Sequence, residues 1–140
     1  MSWLASRRRH RWPASGEAGE SRVEFALVLP LLLLVLIGVV QFALVHHAQN
    51  VATTAAQEGA RLGAAEDGDA AVAEERALDV LRSGLGSLGD GFAVAADESE
   101  ESVTVTTSGS YPFIIPWLGS QTISIDASAE MRKEGFRSGP

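Results

Sequence analysis

Apolar residues are packed into one uninterrupted block near the start of the chain and then thin out into two different rhythms. From Phe25 to Val45 no charged residue occurs. Those 21 residues would span about 31 Å as a helix, at about 1.5 Å per residue. A bilayer core is about 30 Å thick, so the block predicts a transmembrane helix over 25–45. Pro30 lies inside it, a position that can kink a helix, and Gly38 is small enough to let another helix come close.

The helical pattern does not stop with the block. "HHAQNVATTAAQEGARLGAA" has no proline and is rich in alanine, a strong helix former. Val51, Ala55, Leu62 and Ala65 recur near the helical period, so a single helix is expected over 20–65. "EDGD" at 66–69 breaks it, with Gly68 as a stop and Asp69 as an N-cap for the next element. A second helix is expected near 70–83, with Ala71, Val72, Leu78, Leu81 and Leu85 as its apolar stripe and Glu74, Glu75, Arg76 and Asp79 on its wet side. "SGLGSLGDG" reads as turns.

After residue 91 the rhythm changes to two. "FAVAA" is a short strand. In "ESVTVTTSGSY", Val103, Val105 and Thr107 alternate with Thr104 and Thr106; in "QTISIDASAEMRK", Ile123, Ile125 and Ala127 alternate with Thr122, Ser124 and Asp126. Two such strands joined by a short loop predict an antiparallel pair. The fold class is therefore α+β: a long N-terminal transmembrane helix running into a small domain with a second helix and an antiparallel sheet of about three strands. The organisation expected is a basic leader at 1–19, the long helix at 20–65, a small α/β domain at 66–134 and a flexible tail at 135–140.

Charge adds orientation. The chain carries −7 overall, but the segment up to Glu24 holds five arginines and three acids, about +2, while everything after the block carries about −9. The positive-inside rule puts the N-terminus in the cytoplasm and the C-terminal domain outside. An acidic outer domain argues against nucleic acid as a partner. The chain has no cysteine, which removes disulfides, thiolate metal sites and thiol catalysis. No G-x-S-x-G, H-E-x-x-H or phosphate-loop motif occurs, so neither an enzyme nor a cofactor is expected.

Individual clusters have plain readings. His46 and His47 are adjacent and point apart on a helix, unlike metal ligands at i, i+4, so no metal site is expected. "DESEE" at 97–101 lacks the order of a calcium loop and reads as a solvated turn. "YPFIIPWLG" at 111–119 is unusually apolar for a loop; it is either a contact surface or, as the scarcity of large apolar residues elsewhere favours, a lid packed on the core against the second helix. Glu58 and Arg61 are spaced for a weak i, i+3 surface pair. "SRRRHRW" followed by the apolar block also has the outline of an export signal, but the block is longer than a signal core of about 7–15 residues.

Gly19, four residues, Glu24 and Phe25, followed by the apolar helix, resembles the type IV prepilin processing pattern. "VEFALVLPLLLLVLIGVVQF" and the later "EGAR" (Glu58, Gly59, Ala60, Arg61) narrow the resemblance to TadE-like proteins of tight-adherence (Flp) pilus assembly. The chain departs from that family at Gln41, where an acid is frequent, and at Gln57, where arginine is frequent. The resemblance implies cleavage after Gly19 by a prepilin peptidase, a new N-terminus at Glu20, and pairing of Glu24 with the N-terminal amine of a neighbouring subunit. It implies sister pseudopilins and pilins, the pilus membrane platform and the lipid bilayer as partners, and the bacterial inner membrane as location. It gives "EGAR" a docking role against the sheet or a sister protein, with Gly59 admitting a strand backbone. The alternatives are an unprocessed single-pass anchor carrying a binding domain and a secreted soluble domain.

Overall fold

A computed structural model describes residues 16–115 and 119–133. The expected leader up to residue 15, Pro116, Trp117 and Leu118 of the apolar loop, and the tail from residue 134 lie outside the described residues. The chain divides into two compact units, Met1–Leu36 and Ile37–Pro140. In the first, the described residues belong to helix α1, which spans Gly16–Gly63 without interruption at Pro30. The helix starts before Gly19, so residues 16–19, expected in an unstructured leader, are helical.

The second unit begins within α1 and adds α2 (Ala70–Leu85), a 3-10 segment (Gly86–Gly91) and strands β1 (Ala93–Glu98), β2 (Ser102–Pro112) and β3 (Thr122–Arg132). The expected turns of "SGLGSLGDG" are thus partly helical: α2 runs on to Leu85, and Gly86, at φ 61, caps it by donating its N–H to the Arg82 carbonyl. Only glycine takes that left-handed conformation without strain. Asp69 is the N-cap, its carboxylate accepting the Val72 N–H at 2.8 Å. Gly68, however, is not the helix stop. Helix α1 ends at Gly63, and Gly68 is needed for a different reason: a Cβ there would sit 2.2 Å from the Leu62 carbonyl oxygen.

The sheet is antiparallel in the order β1-β2-β3, with Val105 opposite Ala96 on one side and Ala129 on the other. Its inner face carries Val103, Val105, Thr107 and Ile125, all buried; the outer face is mainly serine, threonine and acids. Both outer edges are tied to helices, which blunts their tendency to recruit another strand. Gln49 of α1 donates to the Asp126 carbonyl on β3 at 2.9 Å, and Glu74 of α2 accepts the Ala96 N–H of β1 at 3.1 Å.

What sets the packing is small side chains. Ala48, Ala52, Ala55, Ala56, Ala60 and Ala64 are buried along one stripe of α1, facing Ala73, Ala77 and Leu81 of α2 and the valines of β2. This is not the stripe the larger residues predict. Leu62 and Ala65 are exposed and Val51 is half-buried, as α2 shields Ala73 and Ala77 rather than Ala71. Close approach of backbones selects positions without bulk, and the larger apolar residues move to the rim. Gly59 marks the tightest place: a Cβ would lie 2.7 Å from the Ala73 carbonyl oxygen and 3.1 Å from the Ala77 Cβ. The backbone that Gly59 admits is therefore that of α2, not of a strand as expected.

Glu98 joins three elements. One oxygen takes the Lys133 ammonium at 2.6 Å and the other the Ala70 N–H at 3.3 Å, at the start of α2. The hydrogen bond from Lys133 first, then the one from Ala70, hold the Glu98 carboxyl below the usual glutamate range.

Two outcomes follow from this packing. Alanine is the better helix former by about 1 kcal/mol, yet Gly59→Ala should destabilise the domain by about 1–3 kcal/mol because the α2 backbone must retreat. Arg61→Ala, on the exposed side of the same turn, should stay within about 0.5 kcal/mol. Thermal melting of the detergent-solubilised proteins distinguishes the two. Glu98 contributes stability that is complete above the ordinary glutamate value and is lost as pH falls through its lowered folded value. Melting temperature should therefore drop over that acid range, and Glu98→Gln should flatten this part of the profile; an unchanged profile in the variant contradicts the assignment.

Candidate functional site

The residues singled out by the sequence fall into two groups, one in each compact unit. In the first, Gly19, Glu20, Glu24 and Phe25 all lie on α1 and are exposed. Glu20 and Glu24 are one turn apart, on the same helix face. Nothing within 4 Å would meet a Cβ on Gly19. Ser21, Arg22 and Val23 separate the two acids, and from Phe25 to Val40 the helix is wholly apolar. Phe25, Leu27, Leu31 and Leu32 expose between 60% and 74% of their surface. Such a run of uncovered large side chains is not stable in water and is characteristic of a lipid or protein contact.

Pro30 sits within this run. Lacking an N–H, it leaves the Ala26 carbonyl without its usual helical donor. The helix has an 18-residue window of mean hydropathy 2.8, long and apolar enough to cross a membrane. That length and composition, with every large side chain open, suit membrane anchoring.

In the second unit, Gly38 is exposed and has nothing within 4 Å of a Cβ position, so none of the described residues uses it as a packing notch. Three residues on, Gln41 is only 5% exposed, although Phe42 beside it is open. Its amide is spent on the segment after β2: Nε2 donates to the Pro112 carbonyl at 3.4 Å, and Oε1 accepts the Ile114 N–H at 2.7 Å. The apolar loop is thus pinned to α1. Of its described residues, Tyr111 packs against the core, Phe113 and Ile115 are half-buried and Ile114 keeps 49% of its surface exposed; Pro116, Trp117 and Leu118, on which the expected lid also rests, lie outside the described residues. The periodicity signal treats Gln41 as one polar interruption in an apolar helix and gives no hint of this clamp. The one available signal is that an uncharged, bidentate amide in an apolar block needs two partners.

The "EGAR" element divides by face. Gly59 and Ala60 are buried against α2 and the sheet. Glu58 and Arg61 look outward, 3.9 Å apart, and Glu58 also reaches Arg76 of α2 at 3.7 Å. Arg76 in turn is held by Asp79 at 3.0 Å. These partly exposed pairs are worth a few tenths of a kcal/mol each; the docking strength lies in the small residues between them. The helix beside this element has a groove of about 450 Å³ lined by His47, Asn50, Val51, Val80 and Gly84. His47 donates from Nε2 to the Gly84 carbonyl at 3.3 Å, whereas His46 stacks on Phe42.

"DESEE" ends β1 with Asp97 and Glu98 and makes the β1–β2 turn with Ser99, Glu100 and Glu101. Ser99 closes it, its Oγ accepting the Ser102 N–H at 2.9 Å, while Glu98 works at the start of α2 as described. That tertiary role has no sequence signature, since Ala70 and Lys133 are distant along the chain.

No curated protein and no solved structure gives a significant match to the chain. The family model of TadE-like proteins matches residues 19–61. The matched segment begins at the glycine of the processing pattern and ends at the arginine of "EGAR", so it contains both motifs and the apolar helix between them. Over residues 19–61 this chain is similar to TadE-like proteins.

Proposed function

We propose that this protein is a minor pilin-like (pseudopilin) component of a tight-adherence pilus assembly system. The observation that carries the reading is one segment: Gly19, Glu24 and Phe25 stand at the head of an uncovered apolar helix, and the TadE-like match begins at that glycine. The protein is inserted with the arginine-rich N-terminus in the cytoplasm and the acidic domain outside, in the bacterial inner membrane. It acts by assembly, without catalysis of its own. A prepilin peptidase removes residues 1–19. The new amine at Glu20 and the Glu24 carboxylate are then one turn apart on the helix, and an amine from a sister subunit offsets the cost of placing Glu24 in an apolar bundle.

Association with sister pseudopilins and pilins, and with the membrane platform, runs along the uncovered part of α1. Gly38, open and not packed on by any described residue, is the place where a neighbouring helix can come closest.

A second reading has an observation of its own. Residues 16–19 are helical, and a peptide bond inside a helix has its backbone groups engaged rather than offered to a peptidase. This favours an unprocessed single-pass anchor carrying a protein-binding domain. The experiment is coexpression of the full chain with a prepilin peptidase of a tight-adherence system, followed by N-terminal sequencing and intact mass. The expected mature chain begins at Glu20, and Gly19→Leu blocks the cut. A mature chain that retains its leader overturns the processing claim and leaves the anchor reading standing.

A further inference from the structure

We infer that the described segment at the end of β2, residues 112–115, is a second membrane contact, lying in the headgroup boundary of the bilayer beside the end of the transmembrane helix. The inference rests on the reading of 25–45 as a membrane span. Gln41 lies four residues before Val45, which is about 6 Å along the helix axis at about 1.5 Å per residue. Its side chain holds Pro112 and Ile114 by both ends of the amide. Residues 112–114 are therefore fixed at the level where the span enters the boundary region, and cannot sit farther out while the clamp is made.

The loop's chemistry suits that level. From Ser102 to Ile125 no charged residue occurs. Phe113 and Ile115 are half-buried, and Ile114 is open, as is Phe42 of α1, which exposes 73% of its surface one residue beyond the clamp. Irregular backbone is costly in an apolar medium unless its polar groups are satisfied. At the clamp, three such groups are engaged. Pro112 has no N–H, and its carbonyl accepts from Gln41. The Phe113 N–H donates to the Gln121 carbonyl at 3.0 Å. The Ile114 N–H donates to Gln41. A stretch with an open isoleucine, half-buried apolar neighbours and its Phe113 and Ile114 donors engaged is suited to lipid, and aromatic residues are favoured at that depth.

At the other end of β2 the chemistry is opposite. The β1–β2 turn carries Glu98, Glu100 and Glu101, about 33 Å away along ten strand residues at about 3.3 Å each. The sheet thus has an apolar, charge-free end beside the span and an acidic end remote from it.

The absence of cysteine makes the test clean. Single cysteines replacing Ile114, Phe42, Leu34 and Glu100, each labelled with an environment-sensitive fluorophore, are reconstituted as full chains in phosphatidylcholine vesicles. Quenching is measured with a doxyl group placed on the lipid near the headgroup or deep in the tail, and with aqueous iodide. The Ile114→Cys side chain is exposed, and an unchanged melting transition confirms its fold. The expected result is that the probe at Ile114 loses most of its emission to the shallow lipid quencher, as the probe at Phe42 does, and resists iodide. The probe at Glu100 does the reverse. A probe at Ile114 quenched by iodide like that at Glu100 overturns the inference. So does one protected from both quenchers, which means that protein covers the loop. The probe at Leu34 separates the two levels of the argument: if it responds to the deep lipid quencher the span stands whatever Ile114 does, and if it responds to iodide the span reading fails and the loop contact with it.

Discussion

The domain depends on how closely α1 can be approached. Where α1 carries Ala48, Ala52, Ala55, Ala56, Gly59 and Ala60, the backbone of α2 and the side chains of β2 come into contact with it; a single Cβ on Gly59 would already collide with the Ala73 carbonyl. Every other relation in the domain is conditional on that distance. Thr107 can donate to the Ala52 carbonyl at 3.3 Å only because the sheet sits on the helix. Gln49 can reach the β3 edge, and Glu74 the β1 edge, for the same reason. A core of alanines buries little apolar area per residue, so its energy comes from close contact over a long interface rather than from bulk. The few large buried residues, Leu81, Ile125, Val103 and Val105, fill what alanine leaves.

Much of this was legible beforehand, and the limits have physical causes. Element type was readable because the apolar block, the alanine-rich helix and the alternating strands have distinct periods; three strands and two helices appear where those periods place them. Asp69 was readable as a cap because capping is local. The buried face of α1 was not, because the usual rule assigns the interior to the largest apolar residues, and here the interior is chosen by smallness. Leu62 is exposed while Ala60 and Ala64 are buried. Gly68 was recognised as necessary but for the wrong geometry, since a close approach to the Leu62 carbonyl and a helix stop leave the same trace in sequence.

Among the candidate site residues, the line between legible and hidden follows sequence distance. Gly19, Glu24 and Phe25 form a pattern complete within one segment, and the family match coincides with it. "EGAR" was recognisable as a unit, yet its division into a packed pair and an exposed pair depends on α2, which is not in the motif. Gln41 and the loop are seventy-one residues apart, and their hydrogen bonds have no local signature at all. The two glutamines that set this chain apart from the family pattern, Gln41 and Gln57, also part company: Gln57 is exposed, while Gln41 is enclosed and paired.

That contrast bears on why an amide stands at position 41. The site asks for a donor toward the Pro112 carbonyl and an acceptor for the Ile114 N–H at once. A carboxylate supplies only acceptors when ionised and would place a charge in an enclosed, apolar setting, at considerable cost. Glutamine supplies both groups without charge. The position therefore marks a change in what α1 meets. Before it, from Val40 back through Ile37, the described side chains of this unit are open or half-open to whatever surrounds the helix; past Phe42, which is still open, alanines turn inward to the domain from Ala48 on. A neutral, two-ended side chain is the form of polarity that such a boundary tolerates, because it closes a loop onto the helix without bringing a charge to the edge of the apolar span.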